Sequence, residues 1–262
     1  MNFKVSILGA MASVIVFGSA SAADLPSRKE APVVVPPAFS WTGWHGGISG
    51  GYAGGNSEYN ATMYSITAMP GASWSVNPSV GTSGWLIGYE AGYSWQLSNN
   101  VVVGYESDFN YANVSNNGGM LASGGVNSRL NWFGTERVRF GYAMGRFMPY
   151  ITGGFAYGRI NGASWTSGYE AMLPIGTSGS RWSGGWTVGA GLEYAVTNQI
   201  SIKGEYLYAN IGVPNASAVG WAGNTFATVN GGNYNLNIAR AGVNYHVKSF
   251  GALLGIDALG DF

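Results

Sequence analysis

Nine charged side chains share one property: each stands among alternating apolar residues and takes the opposite parity. They are the acids Glu90, Glu106, Asp108, Glu193 and Glu205 and the bases Arg137, Arg139, Lys203 and Arg240. Five carboxylates against four cations suit a salt-bridged, hydrogen-bonded plug, or else the lining of a narrow ion path. The chain's 2 histidines, His45 and His246, have the same parity in the first and last of these segments. Two imidazoles invite a metal, but ligand sets need three or four groups and no third is evident, so no metal and no cofactor is expected. Haem held by a loop histidine is excluded, because no long connection contains one; Tyr59, Tyr64 and Tyr169 are the remaining candidate ligands. The glycine-rich runs lack the GK[ST] of a phosphate loop.

The elements that must position these groups are strands. In GWLIGYEAGYSWQ, Trp85, Ile87, Tyr89, Ala91, Tyr93 and Trp95 alternate with Gly88, Glu90, Gly92, Ser94 and Gln96. Successive side chains of a strand point to opposite faces, so this segment has one aromatic face and one small, polar face. The pattern recurs eight times from Trp41 onward, in WHGGISGGYA, VVVGYESDFNY, PYITGGFAYG, GWTVGAGLEYA, ISIKGEYLYA, ARAGVNYHV and the run from Leu130 to Tyr142 besides the first. Connections after the even strands are short: Leu97 to Asn100, Ala143 to Phe147 and Val196 to Asn198. Those after the odd strands are long, from about Gly54 to Ser83, Asn113 to Arg129, Asn161 to Arg181 and Asn210 to Tyr234. An even strand number with short turns at one end and long loops at the other predicts an all-β, eight-stranded antiparallel transmembrane β-barrel with periplasmic turns and extracellular loops.

Composition agrees. Charged residues are only 9% of the 262, against roughly 25% in ordinary soluble domains, while aromatics reach 14%. No apolar run is long enough for a membrane helix outside the N-terminus. The net charge is +0 with no basic stripe, which excludes nucleic acid as a partner. Cysteine is absent, so thiol chemistry and disulfides are out.

The aromatic face must meet lipid. Turned inward it would crowd more than about thirty side chains into an eight-stranded interior, which is only just wide enough to be filled. Trp44, Trp85, Trp95, Tyr111, Trp132, Trp186 and Tyr245 then lie near strand ends, where interface girdles belong. Glu136 breaks the pattern, since it shares parity with Val138 and Phe140; a local bulge turning it inward or an off-centre strand is expected, with a partner that meets it on the lipid face as the alternative. Both histidines fall near the periplasmic end, far from the outer leaflet where a hydrolase of lipid would need its base, so no enzyme is expected.

The ends divide the chain further. Residues 1–22 have the n-region, apolar stretch and Ala20-Ser21-Ala22 site of a signal peptide. Residues 23–40, with Pro26, Pro32, Pro36 and Pro37, read as a Pro-rich periplasmic linker, 41–248 as the barrel and 249–262 as a C-terminal extension.

The segments AADLPSRKEAPVVVPPAFSWTGWHGGISGGYAGG, NWFGTERVRFGYAMGRFMPYITGGFAYG, GWTVGAGLEYA and IKGEYLYANIG resemble the small outer-membrane immunogenic, or surface-antigen, barrel proteins of alphaproteobacteria. That family is similar to the transmembrane domain of outer membrane protein A. The resemblance implies an outer-membrane location, contact with outer-membrane lipids and lipopolysaccharide, and delivery by the barrel-assembly machinery. The last strand carries Gly242, Tyr245 and Val247 in the spacing of an assembly signal, which the resemblance extends to the terminal aromatic Phe262. Some relatives are described as porin-like and some as haemin-binding, so a narrow porin and a haemin- or host-surface-binding loop protein stand as alternatives to a structural, surface-exposed role. The sequence carries no signal for an oligomeric state.

Overall fold

The computed structural model describes residues 39–65, 72–77, 79–116, 119–121, 124–167, 180–213, 218–222 and 225–248. The signal peptide, most of the linker, Tyr169 and the 249–262 extension with Phe262 lie outside the described residues. The strands, in chain order, are β1 (Gly43–Ser65), β2 (Ser73–Val76), β3 (Ser79–Gln96), β4 (Val101–Asn116), β5 (Gly119–Leu121) and β6 (Gly124–Tyr142). They continue with β7 (Phe147–Ser167), β8 (Arg181–Ala195), β9 (Ile200–Val213), β10 (Ala218–Ala222) and β11 (Thr225–Val247). Eight are long, and these pair with their sequence neighbours all the way round, in the order β11, β9, β8, β7, β6, β4, β3, β1. The ring closes because β1 also pairs antiparallel with β11, from Trp44 opposite Val247 to Ser65 opposite Thr225. The short strands β2, β5 and β10 extend single hairpins at the loop end by pairing with β1, β6 and β11.

The strands run farther than the alternation of lipid-facing aromatics predicts. β1 continues to Ser65 instead of stopping near Gly54, β7 to Ser167, and β9 to Val213. Much of what reads as loop is therefore ladder. The cause lies on the inner face, where buried Tyr59, Ile160 and Ile211 hold the strand together after the outer face has left lipid. Trp132 and Trp186 consequently lie well inside β6 and β8 instead of near their ends.

The outer face is apolar and open. Ile48 is 67% exposed, Tyr89 63% and Ile151 63%. A water-soluble protein rarely exposes such a continuous belt, whereas a membrane barrel requires it.

The interior is layered. At the short-turn end, Trp41, Val102, Ala143, Met148, Tyr150 and Ala195 form an apolar cap with Phe39 packed against it. The Trp41 indole N–H donates to the Gly145 carbonyl at 3.1 Å, and the Trp41 backbone N–H donates to Gln96 Oε1 at 2.9 Å. Phe39, read from sequence as linker, thus belongs to the barrel end. The charged layer follows. Beyond it the lumen is apolar, filled by Leu86, Val114, Leu130, Phe133, Ile160, Leu207, Ile211, Leu236 and Ile238. The expectation of a polar inner face throughout fails here, because the parity that carries Lys203 and Glu205 continues as Leu207, Ala209 and Ile211. A buried polar group sits at the outer edge: Tyr59 hydroxyl and Ser128 Oγ lie 2.6 Å apart, Ser128 also bonds Tyr234, and Asn116 Nδ2 donates to Tyr59 at 3.2 Å.

Leu207 is fully buried in the apolar plug. Leu207→Ala should destabilise the barrel by about 2–5 kcal/mol. Urea titration of folded protein in lipid vesicles, followed by heat-modifiable gel migration, should show the lowered midpoint; an unchanged midpoint would remove the plug from the stability of the fold.

Candidate functional site

The charged layer is built by strand register. Pairing sets Glu90 opposite Asp108, Glu106 opposite Arg137, Glu193 opposite Lys203 and Glu205 opposite Arg240. Two like charges thus face each other once, between β3 and β4, and cations from across the lumen answer them. Lys203 Nζ reaches Glu90 Oε1 at 2.7 Å and Glu106 Oε1 at 2.9 Å. Arg240 donates from Nε to Glu205 at 2.7 Å and from one terminal nitrogen to Asp108 at 2.9 Å.

Arg137 stands at the centre, with 0% of its side chain exposed. It donates to Glu106 at 2.5 Å, Asp108 at 3.0 Å, Glu205 at 2.7 Å and Thr135 Oγ1 at 2.7 Å. Arg139 bridges Glu106 at 2.9 Å and Glu193 at 2.5 Å while its guanidinium lies 4.0 Å from the Tyr150 ring centroid. The planar, multi-donor guanidinium suits this task, since its separate nitrogens reach carboxylates on different strands at once. All nine charges named from the sequence lie in this one layer and all are buried. Hydroxyls and amides complete it: Ser201 donates to Glu193 at 2.6 Å, Asn110 to Asp108 at 2.7 Å and Tyr150 to Glu205 at 3.1 Å.

His45 and His246 face each other across the closing β1–β11 ladder, their ring centroids 5.7 Å apart. Each stands 3.5 Å from a carboxylate, Glu106 and Glu193 respectively. Trp41 packs edge-on over His246 at 5.8 Å, so the pair lies beneath the apolar cap. Gly92 makes room for His45, because a Cβ there would stand 2.7 Å from its Nε2. Among the described residues no group of three His, Cys, Asp or Glu is arranged to hold a metal ion.

Glu136 does not turn inward. It stays on the lipid face, opposite Ser107 and Phe155. The irregularities in the β6–β7 ladder fall between Asn127 and Arg129 and between Leu130 and Trp132 instead. Two hydroxyls of β4 hold the carboxylate: Tyr105 donates to one oxygen, and Ser107 to the other at 2.8 Å. Those donors replace the water a carboxylate would lose, and the sequence concealed them because β4 meets β6 only through register. Tyr59, one of the three candidate haem ligands, is 1% exposed inside β1 and bonded to Ser128, not a loop residue open to a ligand. Tyr64 is 38% exposed near the end of β1.

The girdle residues Trp85, Trp95, Tyr111, Trp186 and Tyr245 are each more than 40% exposed on the outer face. Trp44 and Trp132 share that face and are half-covered by the rings of Tyr93 and Phe109. On β11, Gly242 faces the lumen while Tyr245 and Val247 face outward.

Arg137→Met leaves three carboxylates short of their shared cation and should destabilise the folded barrel by about 3–5 kcal/mol. Urea titration in vesicles measures this, and adding Glu106→Gln should recover part of the loss. Independence of the two substitutions would dissolve the network into separate pairs.

The sequence from residue 10 to residue 246 matches the family model for the outer membrane protein beta-barrel domain. The chain is 36% identical over 247 residues to the 31 kDa outer-membrane immunogenic protein of Brucella melitensis, covering 92% of this chain and 99% of the relative. It is 35% identical to the 22 kDa outer membrane protein of Rhizobium leguminosarum bv. viciae, over 79% of this chain and 85% of that one. The crystal structure of OprG from Pseudomonas aeruginosa aligns with 80% of this chain and 100% of its own, at 14% identity and a TM-score of 0.42, too loose to carry an argument. On the family match and these close relatives, the chain belongs to the outer membrane protein beta-barrel domain family and is an outer-membrane protein.

Proposed function

We propose that the protein is a closed structural barrel that displays its long connections at the cell surface as an antigen, without catalysis and without a conducting pore. The observation that carries this reading is the filled lumen. Trp41 and Met148 cap the short-turn end, the ion-paired layer crosses the middle, and Leu207, Ile211, Leu236 and Ile238 fill the half toward the loops. Eight strands enclose a space that side chains can fill, and here three kinds of side chain do so in series. The immunogenic relatives support surface display, since their names report recognition by a host.

A porin needs wettable groups along its whole path, and in this lumen Leu86, Leu130, Phe133, Leu207, Ile211 and Ile238 interrupt it with buried apolar side chains. A catalytic role finds little support, because the two histidines lie under Trp41 at the end away from the loops. Barrel-assembly machinery would read Gly242, Tyr245 and Val247 on the final strand.

In planar bilayers the folded protein should give a flat current trace, while antibodies raised against the connection between β7 and β8 should label intact cells. Discrete conductance steps that change with Arg137→Gln would favour the narrow porin. Labelling only after cell disruption would overturn surface display.

A further inference from the structure

The arginines on the loop-facing half are gathered on one side of the barrel. Arg129, Arg159 and Arg181 come from the consecutive strands β6, β7 and β8, and all three are exposed. Their orientation follows from alternation. Leu130 is 1% exposed and Ile160 2%, both inside the apolar plug, so Arg129 and Arg159 beside them point outward. Register then brings the two together. Arg129 pairs with Asn161, and Arg159 pairs with Trp132 on one side and Trp182 on the other. Asn161 and Arg159 are two positions apart, so the two guanidinium-bearing positions are diagonal neighbours, about 7–8 Å apart at the backbone. Neither arginine forms an ion pair with a described residue.

A continuous patch of rings on the outer face begins level with Arg159, at Trp132 and Trp182, and runs deeper to Phe109 and Tyr157. Phe109 stacks on Trp132 at 5.2 Å and lies 6.3 Å from Trp182 and 6.5 Å from Tyr157. Gly134 is part of the patch, because a Cβ there would collide with the Tyr157 ring that covers it. Such a girdle marks the depth at which hydrocarbon gives way to headgroups. Guanidinium pairs at that depth match a phosphate in charge and in geometry. Among the described residues of these strands the outward carboxylate, Glu136, sits deeper and is occupied by Tyr105 and Ser107. Ser115 and Asn161 flank Arg129 in the ladder and offer partners for sugar hydroxyls.

We propose that Arg129 and Arg159 form a binding site for the phosphate of an acylated, phosphorylated glycolipid of the outer leaflet, with acyl chains lying along Phe109, Tyr157 and Trp182. The site depends on the outer-membrane location alone, and stands or falls independently of whether the lumen conducts. Arg181 begins β8 opposite the inward-facing Ile160 and is not part of it.

The test uses full-length protein extracted from outer membranes in mild detergent, with folding checked by heat-modifiable migration. Bound glycolipid is quantified by mass spectrometry, and lipopolysaccharide is then titrated back onto delipidated protein. Arg129→Gln with Arg159→Gln should weaken lipopolysaccharide binding at least about tenfold, as the loss of charge-assisted hydrogen bonds requires, and Arg181→Gln should leave it unchanged. Enzymatically dephosphorylated lipopolysaccharide should bind the wild type as weakly as intact lipopolysaccharide binds the double variant. Equal losses in the Arg181→Gln and double variants would reduce the effect to general charge and overturn the proposal. Displacement by inorganic phosphate at the same concentration, or equal binding of phosphatidylglycerol vesicles, would overturn the glycolipid assignment.

Discussion

Within lipid a backbone N–H or C=O finds no water, and every other feature of this protein depends on that constraint. The β1–β11 ladder answers it by removing the edges that eight strands would otherwise leave open. Closure also fixes which residues meet. It places His45 against His246 and brings Arg240 on the last strands within reach of Asp108 on β4. Antiparallel pairing sets the register, and register sets the chemistry.

The lumen shows how a narrow barrel disposes of its interior. Charges in the middle layer bind strands to one another across the lumen, and their desolvation is offset only because each guanidinium serves several carboxylates. The apolar layer beyond has no such demand. Leu86, Phe133, Ile160 and Ile211 meet one another as a soluble core would, and they lie beside the outer aromatics Trp85 and Trp132. The strands therefore stay paired above the membrane, held by burial within and hydrogen bonds between. The lumen thus changes from an ion-paired layer to an apolar one within the belt of outer aromatics.

Outside, polar groups follow depth. Glu136 lies within the apolar belt and is tolerated because Tyr105 and Ser107 donate to it. Arg129 and Arg159 lie where the rings end and need no such partners. The same sheet face thus hides one charge and displays two others, according to the solvent each level meets.

Alternation and loop rhythm alone determined the number of long strands, their antiparallel order and which face meets lipid, because a period of two and a choice between filling and overfilling eight strands are properties of composition. Parity likewise put Glu90, Arg137 and Glu205 on one face. Their partners were not legible: the link from Arg137 to Glu205 spans 68 residues and exists only when β6 and β9 face across a closed lumen. The length of the strands was hidden for a related reason. The outer face loses its aromatics where lipid ends, and only packing across the lumen shows that Tyr59 and Ile211 continue the ladder as buried residues. Which alternative Glu136 takes was not legible because a sequence displays side chains one strand at a time, whereas the hydroxyls that satisfy it arrive from the next strand by register. What the tertiary structure decided, in each case, was distance across the barrel, which no local pattern contains.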